Sequence, residues 1–245
     1  MKISVIVCAY NEEKYIGKTL QSILDAADEN LLELIVVDNA STDKTAEVAR
    51  SFKNVKLVSE PKKGLTKARQ AGLTAASGDV LSYLDADTLV NKQWWEVLKR
   101  EFTKNPELSF LSGPYHYYDL PGENNRLLRM WANMWVKIWH WFVYRIAESE
   151  AGFVIMGGNF AATKANLLKV GGFDSSIEFY GEDTDIGRRL NKLSKSKFLK
   201  DYYVETSARR FKEEGIVMTG IRYLINYLSI VVFKRPVTAS HGDIR

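Results

Sequence analysis

Four short runs of apolar, largely β-branched residues lie at positions 3–7, 33–37, 55–58 and 80–84, separated by segments long enough for helices. Each run is too apolar to leave one face in water, so each reads as a strand covered on both sides. The intervening segments, residues 12–26, 43–52, 65–76 and 91–104, are amphipathic and of helical length. Strand and helix alternating at this spacing argue for a mostly parallel sheet with right-handed crossovers. The expected fold class is α/β, its first third a Rossmann-like half.

Ligands of such sheets collect beyond the carboxyl ends of the strands, so the residues that follow each run matter most. The first run leads into Ala9-Tyr10-Asn11, the second into Asp38, and the fourth into Asp85-Ala86-Asp87. Two carboxylates two residues apart repel each other and lose hydration when partly buried, which a hard cation bound to oxygen relieves. The competing reading of that triplet is a solvated turn with Asp capping the next helix. Tyr10 can stack on a base, and Asp38 can accept from a pyrimidine N–H or a ribose hydroxyl. Asn11 with Ser41 or Thr42 reads equally well as helix capping. Lys62, Lys63, Lys67 and Arg69 surround Gly64 without the spacing of a P-loop, leaving a phosphate-side loop or a solvated basic helix face.

At 245 residues and 46% hydrophobic content, the chain can bury one large core or two small ones, expected as one compact domain with a C-terminal extension. A net charge of +4 without long Lys/Arg runs suits phosphate groups or acidic lipid and argues against a dedicated nucleic-acid binder. Cys8 is the only cysteine, so no disulfide framework or cysteine zinc cluster is expected, and a reducing compartment, the cytoplasm, is the default. The first residues run straight into a strand without signal-peptide organisation.

After Pro114 the pattern changes to an irregular stretch, then an aromatic helix over residues 125–147, an apolar piece at 153–156, Gly157-Gly158-Asn159, and helices near 164–170 and 182–193. Asp183 begins a helix beside Gly181, where the helix N-terminus favours the charged form; Asp185 reads as a capping or solvent residue.

The segments S-V-I-V-C-A-Y-N-E-E, I-V-V-D-N-A-S-T-D-K-T, K-G-L-T-K-A-R-Q-A-G, A-S-G-D-V-L-S-Y-L-D-A-D and G-E-D-T-D, in this order over roughly residues 3–200, resemble the family 2 glycosyltransferases of GT-A fold. The resemblance implies a domain over residues 1–206, divided into a nucleotide-sugar-binding half (1–113) and an acceptor half (114–206), with an amphipathic helix and tail over 207–245. It implies a Mg²⁺ or Mn²⁺ ion held by Asp87 with Asp85, the latter also near the ribose. Ala9, Tyr10, Asp38 and Arg69 fall on the nucleotide side, Gly157, Gly158, Asn159 and Glu182 on the acceptor side, and Asp183 in the place of the general base. The activity implied is inverting transfer of a sugar from a nucleotide-sugar, UDP favoured over GDP, to a hydroxyl of a glycan or lipid-linked glycan. A polyprenyl-phosphate sugar synthase, a nucleotidyltransferase and a catalytically silent nucleotide-sugar binder are the competing readings.

Trp131, Trp135 and Trp139 recur at helical spacing with basic residues nearby, and residues 216–233 form a second apolar segment interrupted by Arg222 and Asn226. Tryptophan with basic residues is the pattern of helices at a headgroup boundary. The expectation is peripheral attachment to an anionic membrane, on the inner face of the cell membrane, aided by Arg126, Arg129, Arg209, Arg210, Lys234 and Arg235. His116 and His140 lack a second ligand at metal spacing, and His241 is a remote candidate to complete a metal site.

Overall fold

The computed structural model describes residues 1–122, 125–147, 153–177, 180–233 and 237. The four apolar runs form β1 (Ile3–Ala9), β2 (Leu31–Asp38), β3 (Val55–Ser59) and β4 (Val80–Asp85), joined through α1 (Ile16–Ala26), α2 (Thr45–Arg50) and α3 (Leu65–Ala75). Then come β5 (Thr88–Leu89), α4 (Lys92–Lys104), β6 (Phe110–Ser112), β7 (Tyr115–Tyr117), α5 (Arg126–Ala147), β8 (Asn159–Thr163), α6 (Lys164–Lys169) and α7 (Glu182–Leu190). The chain continues through β9 (Lys197–Phe198), β10 (Val204–Thr206), α8 (Arg209–Glu214) and α9 (Ile216–Phe233).

One seven-stranded sheet in the order β3-β2-β1-β4-β8-β6-β9 spans both halves of the chain. Only β8 runs against the others. Every residue of β1 is buried, as a central strand with both faces covered must be. Its alternate side chains serve two separate cores: Ile3, Val5 and Val7 pack on the side of α1 and α4, Ile6 and Cys8 on the side of α3 and α7. On α1 the buried residues Ile16, Thr19, Leu20 and Ile23 keep the spacing of one helical face. That helix starts later than the expected residue 12, because Asn11 holds a left-handed φ of 53° and the Glu12 N–H donates to Thr45 Oγ1 at 2.7 Å.

A second sheet, β5-β10-β7, sits beside the end of β4 and pairs Thr206 with Thr88. It carries the chain from the acceptor half back to the Asp85-Ala86-Asp87 turn. The turn itself is pinned from below, with Thr19 Oγ1 donating to the Ala86 carbonyl at 2.7 Å.

Candidate active site

The parallel register aligns Cys8 with Asp85 and Ala9 with Asp38, so three strands end level with one another. Two tight turns extend this edge. Asn11 and Ala40 both hold left-handed φ values, 53° and 61°, which non-glycine residues adopt at a cost and which the surroundings must over-determine. They do: the Asn11 N–H donates to Ser41 Oγ at 3.1 Å, and the Thr42 N–H donates to Asn11 Oδ1 at 2.8 Å. Asn11 and Ser41 therefore lock two loops together and cap no helix. Asn39, to which the sequence reading gave no role, donates to the carbonyls of Glu60 and Lys62 and accepts from the Gly64 N–H, fixing the basic loop above the strand ends. Lys63 Nζ lies 4.0 Å from the centre of the Tyr10 ring. Asp38 accepts from the Ser41 N–H at 3.3 Å. Ala9 is buried in the sheet and contributes backbone.

Asp85 and Asp87 differ sharply in environment. The Asp85 side chain is 38% exposed, with Arg69 Nη2 at 3.9 Å. Asp87 is buried, at 8% exposure. Its carboxylate pairs with Arg209 Nη2 at 3.1 Å and accepts from Thr206 Oγ1 at 3.3 Å. Arg209 reaches past it to Glu12, donating through Nη1 to Oε2 at 2.8 Å. The sequence reading placed Arg209 and Arg210 on a membrane-facing basic cluster. The structure turns both inward, with Arg210 bonding the Tyr180 hydroxyl at 3.3 Å. A strand ending at Thr206 and followed by two arginines was the available signal for this.

Arg69 is nearly inaccessible, lying under the site from α3. It forms an ion pair with Glu182 Oε1. Glu182 is thus a buried partner of Arg69 that also lines the cavity beside Asp183. Asp183, the next residue, lines the cavity and accepts from the Thr184 N–H at 2.6 Å. Burial pushes the Glu182 carboxyl well above the usual carboxylate range, with Arg69 opposing and Asp183 reinforcing the rise. Burial likewise raises Asp183, against Arg69 and the Thr184 hydrogen bonds. Burial thus acts against the charged form that the helix N-terminus was expected to favour at Asp183. Asp185 is buried too, paired with Arg188 at 2.9 Å and Arg189 at 2.7 Å, and is neither a cap nor a solvent residue.

The reversed strand β8 brings its leading loop to this edge. A Cβ on Gly158 would collide with the Asp85 carboxylate, so only glycine lets the backbone pass there. The Gly158 N–H donates to the Tyr115 hydroxyl at 2.6 Å. Asn159, expected beside the acceptor, is fully buried. It accepts from Trp94 Nε1 at 2.9 Å and donates to the Tyr202 carbonyl at 2.8 Å, so it ties β8 to α4 and the second half.

Asp85, Asp87, Asp183, Arg69 and Arg209 line a single cavity of about 500 Å³. Around it Arg69 faces Asp85, Glu182 and Asp183, Arg209 faces Glu12 and Asp87, and Arg210 adds a third guanidinium to the lining, so the cavity carries both signs of charge. Among the described residues no three carboxylate, His or Cys groups cluster as a self-sufficient metal site. Two carboxylates opening on one cavity fit a cation whose remaining ligands are water and substrate phosphate, which is how Mg²⁺ is commonly held. His241 and the basic residues Lys234 and Arg235 lie outside the described residues.

Residues 4–170 match the model of glycosyl transferase family 2. Among curated relatives, an uncharacterized glycosyltransferase of Haemophilus influenzae is 35% identical over 112 residues, covering 44% of this chain and 34% of its own length. The chain spans about half or less of the length of the other first curated relatives it matches. Among solved structures, a mannosyltransferase of Pyrobaculum calidifontis in complex with GDP-Man and Mn²⁺ superposes with a TM-score of 0.72 at 20% identity, covering 98% of this chain and 66% of that one. Glucosyl-3-phosphoglycerate synthase from Mycobacterium tuberculosis, in complex with Mn²⁺, UDP-Glc and phosphoglyceric acid, does so with a TM-score of 0.64 at 21% identity, covering 93% and 79%. These likenesses establish the GT-A fold, and the family match covers well over half of the sequence. With the strand-end carboxylates and the glycine-bearing loop in the arrangement described above, the chain belongs to glycosyl transferase family 2.

Proposed function

We propose that the protein is a metal-assisted, inverting glycosyltransferase that moves a sugar from a nucleoside diphosphate to an acceptor hydroxyl. The observation that carries this reading is that Asp85 and Asp87, at the strand ends, and Asp183, at a helix start, all line one cavity. In a single displacement the acceptor oxygen forms a bond to the anomeric carbon, the bond from that carbon to the diphosphate breaks, and the diphosphate leaves with the electron pair. Asp183 takes the hydroxyl proton. Asp85 and Asp87 would hold Mg²⁺ or Mn²⁺, which offsets the charge of the leaving diphosphate. Tyr10, Asp38 and the loop fixed by Asn39 receive the nucleoside, with UDP favoured and GDP the alternative. One general base and one displacement support inversion.

Asp87→Asn tests the metal assignment. The variant keeps Arg209 paired with Glu12, so the fold should persist, while the gain in UDP or GDP affinity on adding Mn²⁺ should fall about tenfold or more as a ligand charge is lost. Calorimetric titration with and without Mn²⁺ reads this directly, and an undiminished metal effect would remove Asp87 from the ligand set.

Exposed apolar residues on α5 and α9 support peripheral membrane attachment, which we propose lies on the cytoplasmic face. On α5 Leu127 is 77% exposed and Trp141 64%, and on α9 Phe233 is 73% exposed, an apolar surface larger than a scatter of single residues. By length and composition α9 could cross a bilayer. However, Arg222 on it pairs with Glu214 at 2.7 Å and bonds the Tyr180 hydroxyl at 3.1 Å, contacts that spanning would break. With Arg209 and Arg210 turned inward, the electrostatic share of binding falls to groups such as the exposed Arg126 and Arg129. Sedimentation with anionic vesicles should therefore show binding that persists at high salt, since apolar insertion is not screened. A chain that stays in the supernatant at low salt would remove the membrane from this reading.

A further inference from the structure

The cavity that holds the carboxylates has a second chemistry. Away from Asp85, Asp87 and Asp183 it continues between α5 and α9, where its walls are Trp135, Trp139 and Phe142 on one side and Val217, Gly220 and Leu224 on the other. Helices packed for stability alone would close this space. There is room beside Gly220: among the described residues a Cβ there would meet only the Trp139 ring, at 4.0 Å, so the glycine is not required by close helix contact. A sugar or a soluble polyol would find few hydrogen-bonding partners on these walls, and burying hydroxyls without partners is costly. Both helices also carry their apolar character outward, to Leu127, Met130 and Trp141 on α5 and Leu228, Val232 and Phe233 on α9. The apolar arm of the cavity is thus flanked by apolar surface at the helices that form it.

We propose that this arm seats the hydrocarbon chain of the acceptor, so that the acceptor is an amphiphile whose reacting group lies at Asp183 while its chain runs between α5 and α9. The proposal rests on the glycosyl-transfer reading for the identity of the polar end, and on the continuity of one cavity for the apolar end. It makes α5 and α9 substrate-binding elements in addition to any role at a membrane surface. Arg209 and Arg210, lining the same cavity, are placed for the polar head.

Hexyl, octyl and decyl glucoside, each below its micelle concentration, are the probes, titrated calorimetrically into the full chain in the presence of UDP or GDP and Mn²⁺. Affinity should rise by up to about fourfold per methylene added within the arm. Gly220→Phe fills the arm and should flatten this dependence while leaving nucleotide affinity in place. Leu224→Asn, which keeps the shape but adds a polar group, should weaken decyl more than hexyl glucoside and serves if the first variant does not fold. Equal affinity for hexyl and decyl glucoside, or a chain-length dependence retained in both folded variants, would overturn the proposal. Failure of the parent to bind either nucleotide would instead count against the glycosyl-transfer reading, and the chain-length dependence is measured independently of it.

Discussion

Replacing Asp183 with Asn is expected to lower glycosyl transfer by a factor of about 10² to 10⁴, the usual contribution of a positioned general base, while leaving nucleotide affinity essentially unchanged. The pH behaviour follows from the same group. Burial raises the Asp183 pKa above 3.8, so the parent rate should decline with acidification through a value higher than that of an ordinary aspartate, and this limb should vanish in the variant. Stability should move the opposite way. A carboxyl whose folded pKa exceeds its unfolded one contributes stability below the unfolded value and loses it as pH rises through the folded value. Asp183→Asn should therefore melt higher than the parent at neutral pH and match it in acid. Near-normal turnover in the variant would place the base elsewhere, and an unchanged melting temperature at neutral pH would show that the carboxylate is not destabilised where it sits.

The second large effect is expected at Arg69. Its guanidinium is buried and neutralises Glu182, with Asp85 and Asp183 close enough to feel its charge. Removing one partner of a buried pair strands the other, at a cost of about 3 to 5 kcal/mol. Arg69→Met should accordingly lose on the order of 10 °C in melting temperature at neutral pH. Adding Glu182→Met should recover much of that loss, because the stranded charge is gone. The deficit of the single variant should also shrink as pH falls, starting from a higher pH than for an ordinary glutamate, because burial already raises the Glu182 carboxyl and loss of Arg69 raises it further. Thermal denaturation of the parent, the single and the double variant decides the matter, and a single variant as stable as the parent at neutral pH would show that the pair holds nothing together.

The strands and their carboxyl ends were legible because their signals are local. Runs of β-branched residues bounded by polar turns can be read within a short window, and the alternation with helices then fixes parallel pairing. What escaped was the partner of each charged group. Nothing near Asp87 in the sequence announces Arg209, and Arg69 is 113 residues from Glu182. Asn159 and Asp185 were misread for a related reason. Both stand beside residues that line the cavity, but the side chain of Asn159 points into the core at Trp94 and Tyr202, and that of Asp185 toward two arginines one turn further along α7. Asp183 was singled out from its motif, but not its raised pKa, which depends on how deeply the start of α7 is buried.

The Arg209 to Glu12 contact joins residues 197 positions apart. Synthesis on the ribosome proceeds from the N-terminus, and early segments can begin to fold before later ones exist. Residues up to Asp85 suffice for β1 to β4, so the strand-end carboxylates can be in place while their guanidinium partner has yet to be made. During that interval Glu12 and Asp87 lack the counter-charge that the finished protein gives them. A nascent chain released before residue 209 would thus carry a donor-side sheet whose acidic edge has Arg69 but not yet Arg209, and the two halves of the site become electrostatically complete only with the α8 segment in place.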